Sequence, residues 1–258
     1  MYNIAMKYIY GPVPSWRLGK SLGIDLISEN KICSFDCVYC QLGELDAGEC
    51  PRKVFNPTAD ILKEFDSLDL SKLSIDYITF SGMGEPTLAL NIGEVAAEIK
   101  KRTKIPIALL TNATLLWDEA VRKDLANIDK IIAKLDASND EVLKIVNQST
   151  ASVSFEKIIE GIRKTKQQYP NKLALQMMFV PQNIKYAGDL AKLAKEISPI
   201  EVALNTPLRK SAVAPISKVK MEKVKKLFSP LKIISVYDQS PVSSQPLDEK
   251  DVLKRRPK

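Results

Sequence analysis

Histidine is absent from all 258 residues of this chain. That gap removes Ser-His-Asp and Cys-His hydrolysis, histidine-ligated zinc and histidine-held haem. Any metal must be bound by sulfur or oxygen, and any acid–base step must fall to carboxylate, lysine, tyrosine or cysteine. Long apolar runs are missing too. None reaches the eighteen or so residues a membrane span needs, and none has the layout of a signal peptide, so a cytoplasmic location and no membrane partner are expected. Cysteine is scarce, four in all, which speaks against a disulfide framework. Nor is there an internal repeat, a low-complexity tract or a clear interdomain linker.

What is present is an alternation of strand-like and helix-like patterns. Apolar runs at Ile24–Ile27, Tyr77–Phe80, Ile107–Leu110, Ile131–Leu135, Leu173–Val180 and Val202–Leu204 read as strands. Amphipathic segments at Thr58–Leu68, Ile92–Arg102, Asp118–Ala126, Phe155–Tyr169 and Tyr186–Ile197 read as helices, the last with a stripe of Leu190, Leu193, Ala194 and Ile197. Such βα units in series imply a parallel sheet, either a partial barrel or a doubly wound sheet. A seventh helix–strand pair is expected at Lys218–Phe228 and Leu231–Val236. One domain is expected over 1–239. The polar, basic tail over 240–258 ends Lys-Arg-Arg-Pro-Lys and reads as loosely held.

Several strand ends run straight into small or polar residues: Ser81-Gly82-Met83-Gly84-Glu85-Pro86-Thr87, Thr111-Asn112, Asp136-Ala137-Ser138 and Asn205-Thr206-Pro207. Carboxyl ends of parallel strands are where α/β folds place ligands, so these ends suggest one shared site. The net charge of +7 is compatible with a phosphorylated or nucleic-acid partner. Many of the lysines, however, such as Lys192, Lys195 and Lys223, fall on outer helix faces and read as solvated surface.

Three of the four cysteines, Cys33, Cys37 and Cys40, form a C-x3-C-x2-C run after the first expected strand. Three thiolates on a short loop can take three corners of an iron–sulfur cube and leave the fourth iron open. With Cys50 added, the same residues could instead make a four-cysteine zinc site or a fully ligated cluster. That alternative describes a non-catalytic nucleic-acid-binding module. Zinc ligands usually come as two close pairs, whereas Cys50 stands alone.

With Tyr39 before the third cysteine, the run resembles the signature of the radical S-adenosylmethionine (SAM) superfamily. The likeness extends from Gly11-Pro12-Val13-Pro14-Ser15 through Gly82–Thr87 to Asn205–Arg209, and looks nearest to the branch of the wyosine-base synthases. The resemblance implies a partial (β/α)6 TIM-like barrel with outer helices, a [4Fe–4S] cluster on Cys33, Cys37 and Cys40, and SAM on the open iron. It places Gly82, Gly84 and Glu85 at the SAM amino group. Thr111, Asn112, Asp136 and Ser138 would lie near its carboxylate and ribose, Tyr39 near adenine, and Gln176 and Met178 nearby.

The implied reaction is reductive cleavage of SAM to a 5′-deoxyadenosyl radical that abstracts hydrogen from a substrate, with an external one-electron reductant of the ferredoxin or flavodoxin type. Wyosine synthases carry a second cluster on upstream cysteines, but no cysteine precedes Cys33. The substrate therefore stays unidentified, with a tRNA or nucleotide as a sub-hypothesis. Lys134 and Arg209 are candidate catalytic residues; Arg17, Lys20 and Arg209 are candidate phosphate contacts, and Trp16 a candidate stacking surface. A monomer is expected.

Overall fold

The computed structural model describes residues 6–27, 30–43, 51–209, 211–238 and 243–256. In these, β1 (Ile9–Ser15) and β2 (Gly19–Ile24) form a hairpin. Then follow α1 (Thr58–Asp66), β3 (Tyr77–Phe80), α2 (Ile92–Arg102), β4 (Ile107–Thr111), α3 (Glu119–Asp124) and β5 (Lys130–Lys134). The chain continues through α4 (Asp140–Val146), α5 (Phe155–Gln168), β6 (Leu173–Met178), α6 (Ala187–Ile197), β7 (Val202–Asn205), α7 (Lys218–Leu227), β8 (Ile233–Ser235) and α8 (Glu249–Arg255). The strands lie in one sheet in sequence order; β1 is antiparallel to β2, and every later neighbour pair is parallel. β1 and β8 are the outermost strands and do not pair with each other among the described residues, so the sheet is a partial TIM barrel that does not close.

β2 to β7 supply the six expected βα units, and the seventh pair is α7 with β8. Two features differ from expectation. The first parallel strand ends at Ile24 rather than beginning there, and β1 precedes it. Proline cannot donate to a ladder, so Pro12 and Pro14 argue against a strand unless it lies at an edge. β1 is such an edge, with a register shift between Tyr10 and Val13. Helix α4 also escaped notice, because its seven residues carry barely two turns of periodicity. Its Asn139 N-cap, which accepts from Val142 N–H at 2.9 Å, was the legible signal.

Two apolar layers hold the barrel. Outside, helix stripes such as Leu190, Ala194 and Ile197 of α6 pack on the sheet as part of one continuous core. Inside, Leu18, Ala108, Ile132 and Ala174 form a small separate plug. Above that plug the inward side chains turn polar, and there the barrel holds space.

The described residues 243–256 of the polar tail pack against the barrel. Leu247 N–H donates to Gly11 O at 2.6 Å, α8 packs on β1, and Arg255 is buried. The expected boundary at 239/240 lies outside the described residues, as does Cys50.

Candidate active site

Side chains alternate across a strand, so residues two apart face the same way. Ser81 after β3, Leu110 of β4, Ile132 and Lys134 of β5, and Gln176 and Met178 of β6 accordingly share one cavity of about 310 Å³. Cys33, Cys37 and Cys40 border the same space, each partly exposed and free of disulfides.

The cysteine loop is held by backbone bonds to two neighbours. Ile32 N–H donates to Met83 O at 3.0 Å, and Glu85 N–H donates back to Ile32 O at 2.9 Å. On the other side Asp36 N–H reaches Asn147 O at 2.9 Å and Val38 N–H reaches Val146 O at 3.0 Å. Phe35 and Tyr39 between the cysteines are buried and pin the loop to the core. Gly84 has a local reason to be glycine: a Cβ there would lie 1.9 Å from Ile32 O. At Gly82 the space is taken by the Asp25 carboxylate, 2.1 Å from a Cβ position. The close approach these glycines permit is therefore between protein segments.

Glu85 is almost wholly buried and accepts four hydrogen bonds. They come from Thr87 N–H at 3.1 Å, Thr87 Oγ1 at 2.6 Å, Thr111 Oγ1 at 2.7 Å and Asn112 N–H at 2.6 Å. Burial raises its pKa, and these donors oppose the rise. Glu85 thereby ties the end of β3 to the end of β4. Asn112 Nδ2 in turn donates to Cys33 Sγ at 3.4 Å and Ser34 Oγ at 3.1 Å. Burial and the nearby Glu85 charge push the Cys33 thiol up to about 12, so its thiolate calls for a cationic partner.

Tyr39, Gly82, Gly84, Glu85, Thr111 and Asn112 all border the cysteine cavity, together with Gln176, Met178 and Lys134. Asp136 and Ser138 do not. The Asp136 carboxylate accepts from Met178 N–H at 2.7 Å, from Asn147 Nδ2 at 3.1 Å and from the Tyr39 hydroxyl. It serves as an internal bracket. Ser138 Oγ is buried without a partner. Lys134 Nζ lies 4.0 Å from both Cys37 Sγ and Asp136 Oδ2, and 4.6 Å over the Tyr39 ring.

A second space of about 380 Å³ shares the wall of Ser81, Leu110, Gln176 and Met178 and opens toward the β1–β2 hairpin, where Trp16, Arg17 and Arg209 border it. Lys20 does not reach it; its Nζ donates to Ser74 Oγ at 3.0 Å on the exposed surface.

Two positions here escaped the sequence reading. Asn147, the C-cap of α4, donates to Cys37 Sγ at 3.3 Å and has no motif to mark it. Asp25 was legible as a charge inside an apolar run; it is buried and accepts from Met83 N–H at 3.1 Å and Arg255 Nε at 2.8 Å.

An open-edged (β/α)6 sheet with three cysteines at the carboxyl ends of its strands defines an architecture that comparison then names. The family model described as the radical SAM superfamily matches residues 30–194, and the chain belongs to that superfamily. It is an enzyme of that class, whose cofactors are a [4Fe–4S] cluster and SAM.

Within the superfamily it groups with the UPF0026 proteins. It is 44% identical over 208 residues to one from Synechocystis sp., covering 80% of this chain and 78% of that one. It is 36% identical over 230 residues to one from Methanocaldococcus jannaschii, covering 87% and 71%. A "Probable GTP 3',8-cyclase" of Saccharolobus islandicus is 29% identical over 150 residues, covering 57% and 44%. These relatives do not confirm the narrower likeness to wyosine synthases.

The fold recurs in solved structures. The one titled native anSMEcpe with bound AdoMet gives a TM-score of 0.61 at 19% identity, covering 84% of this chain and 64% of that one. A radical SAM methyltransferase from Sphaerobacter thermophilus gives 0.59 at 14%, covering 83% and 65%. The chain thus spans somewhat less than two-thirds of those structures. No described helix is long and apolar enough to cross a membrane.

Proposed function

We propose that Cys33, Cys37 and Cys40 hold the [4Fe–4S] cluster, and that SAM occupies the cavity they border. The observation that carries this reading is the donor set itself: three free cysteines on one short loop facing a shared space with Glu85, Thr111 and Asn112. Among the described residues no three His, Cys, Asp or Glu side chains converge on a single-ion position. What weighs against the non-catalytic four-cysteine module is the radical SAM superfamily match over residues 30–194.

Cys33, Cys37 and Cys40 would hold the cluster, which when bound and reduced would supply the single electron for reductive cleavage of SAM and so for hydrogen abstraction from a substrate. The chain's own residues bind and orient. Asn112 and Asn147 direct N–H groups at Cys33 and Cys37 sulfur. Glu85 fixes the adjoining strand ends, while Gly82 and Gly84 bring the loop after β3 against the cysteine loop. Buried Phe35 and Tyr39 keep water from the inner side of that loop.

An external ferredoxin- or flavodoxin-type reductant supplies the electron. A nucleotide or tRNA is the substrate class we favour, supported by the nucleotide in the name of the cyclase relatives and compatible with the basic charge. Anaerobic reconstitution tests the reading. About four irons and four sulfides per chain, lost on Cys37→Ala, with 5′-deoxyadenosine formed from SAM and dithionite, support it. One zinc and no iron would sink it.

A further inference from the structure

The cavity between the hairpin and α8 has an arginine wall, of which Arg17 and Arg255 also border the cysteine cavity while Arg209 and Arg256 do not. Arg17 from the β1–β2 turn, Arg209 after β7 and Arg256 after α8 all border the hairpin cavity. No described aspartate or glutamate does. Arg255 on the same wall is neutralised by Asp25, with Nε 2.8 Å from Oδ2. The other three have no carboxylate partner among the described residues. Their recorded contacts are neutral: Arg256 Nη1 donates to Pro14 O at 3.3 Å, Arg209 Nη1 to Gln41 Oε1 at 3.3 Å, and Arg17 lies 5.0 Å over the Trp16 ring. Arg17 Nε is buried with no hydrogen-bond partner among the described residues.

Holding the half-buried guanidiniums of Arg17 and Arg256 near one another, with no described counter-charge, is unfavourable. Burial and then the neighbouring Arg256 and Arg209 push Arg17 down to about 9, and burial with Arg209 pushes Arg256 down to about 10. Both remain charged at neutral pH, so the arrangement favours an anion. A guanidinium fork matches pairs of phosphate oxygens. Three forks match more than one phosphate.

Resting on the radical SAM reading, we propose that the substrate is a small molecule bearing a di- or triphosphate. Its phosphates sit on Arg17, Arg209 and Arg256, and its remainder extends along Ser81, Leu110, Gln176 and Met178 into the cysteine cavity. A small molecule is favoured over a nucleic acid because Arg17 and Arg256 are half-buried inside a space bounded by the hairpin and the chain's end. A polymer backbone would call for a basic stripe on an open face.

The test is calorimetric titration of the anaerobically reconstituted full chain with sodium tripolyphosphate. Saturable one-site binding is expected, weaker by about tenfold or more in Arg17→Gln and in Arg256→Gln, each of which loses a charge-assisted contact. Arg209→Gln, at an exposed position where folding is not at stake, should weaken it as well. Lys226→Gln, an equal charge loss on the outer face of α7, should leave the affinity unchanged. Absence of saturable binding, or equal losses in the arginine variants and Lys226→Gln, would overturn the proposal. A short single-stranded RNA that binds more tightly than tripolyphosphate would overturn the small-molecule assignment. Assaying 5′-deoxyadenosine in the same sample separates the two readings. Its formation without tripolyphosphate binding removes the anion site alone, whereas binding without its formation supports the site and removes the radical reading.

Discussion

Arg255 Nε lies 2.8 Å from Asp25 Oδ2, and the two side chains are 1% and 2% exposed. The pair joins the last helix to the barrel mouth, since the same Asp25 oxygen accepts from Met83 N–H beside Gly82 and Gly84. Removing one partner of a buried pair leaves an uncompensated charge, at a cost of about 3–5 kcal/mol. Arg255→Met should lower unfolding free energy by that order in urea denaturation, and Arg255→Met with Asp25→Asn should recover part of it. Equal stability of the wild type and Arg255→Met would mean that α8 does not support the mouth.

Gly84 shows how tightly the cysteine loop is docked. A methyl group there would sit 1.9 Å from Ile32 O, backbone against backbone, with no flexible side chain able to yield. Gly84→Ala should therefore break the Ile32–Glu85 exchange of hydrogen bonds and cost about 1–3 kcal/mol or more. Iron retained after reconstitution should drop sharply, while the far-UV spectrum stays close to that of the wild type. Full iron content in the variant would show that the loop tolerates displacement.

These two cases mark what was legible in the sequence. The parallel strands and their helices announced themselves by period, and the polar strand ends marked the mouth of the barrel. The cysteine spacing was explicit. What remained hidden depended on pairing across the chain. Pro12 and Pro14 disguised β1, because only its edge position makes them tolerable. Asp136 sits at a strand end, as ligand-binding residues do, yet Tyr39, Asn147 and Met178 occupy its carboxylate. Nothing local to residues 255 and 256 says that one reaches Asp25 and the other borders a cavity with Arg17. A polar tail and a structural latch look alike until the fold brings their partners near.

At the opposite end of the barrel, Glu201 accepts from Lys130 Nζ at 2.8 Å and lies 3.1 Å from Lys232 Nζ. Burial alone would raise its pKa; the two lysines outweigh burial and hold the carboxyl below its ordinary value. A depressed carboxyl contributes stability above its unfolded pKa, and that contribution is lost as pH falls through the folded value. Glu201→Gln should thus be less stable than the wild type at pH 7, with the gap narrowing below about pH 4. Urea midpoints at the two pH values test this, and a constant gap would remove Glu201 as the titrating group.

The proposed cluster's electronic setting rests on Asn147, whose amide donates to Cys37 Sγ at 3.3 Å while also meeting Asp136 Oδ2 at 3.1 Å. Hydrogen bonds to cluster sulfur stabilise the more negative, reduced state and raise its potential. Asn147→Leu keeps the bulk but removes the donor, so the reduction midpoint should move negative in an EPR-monitored titration of the reconstituted chain. Asn147→Gln, which retains an amide on a longer stem, should fall between the two. A packing role alone predicts a different pattern, with lower iron content in Asn147→Leu and an unmoved midpoint in the clusters that form. The midpoint therefore separates an N–H donor tuning the sulfur from a side chain that merely fills the space behind it.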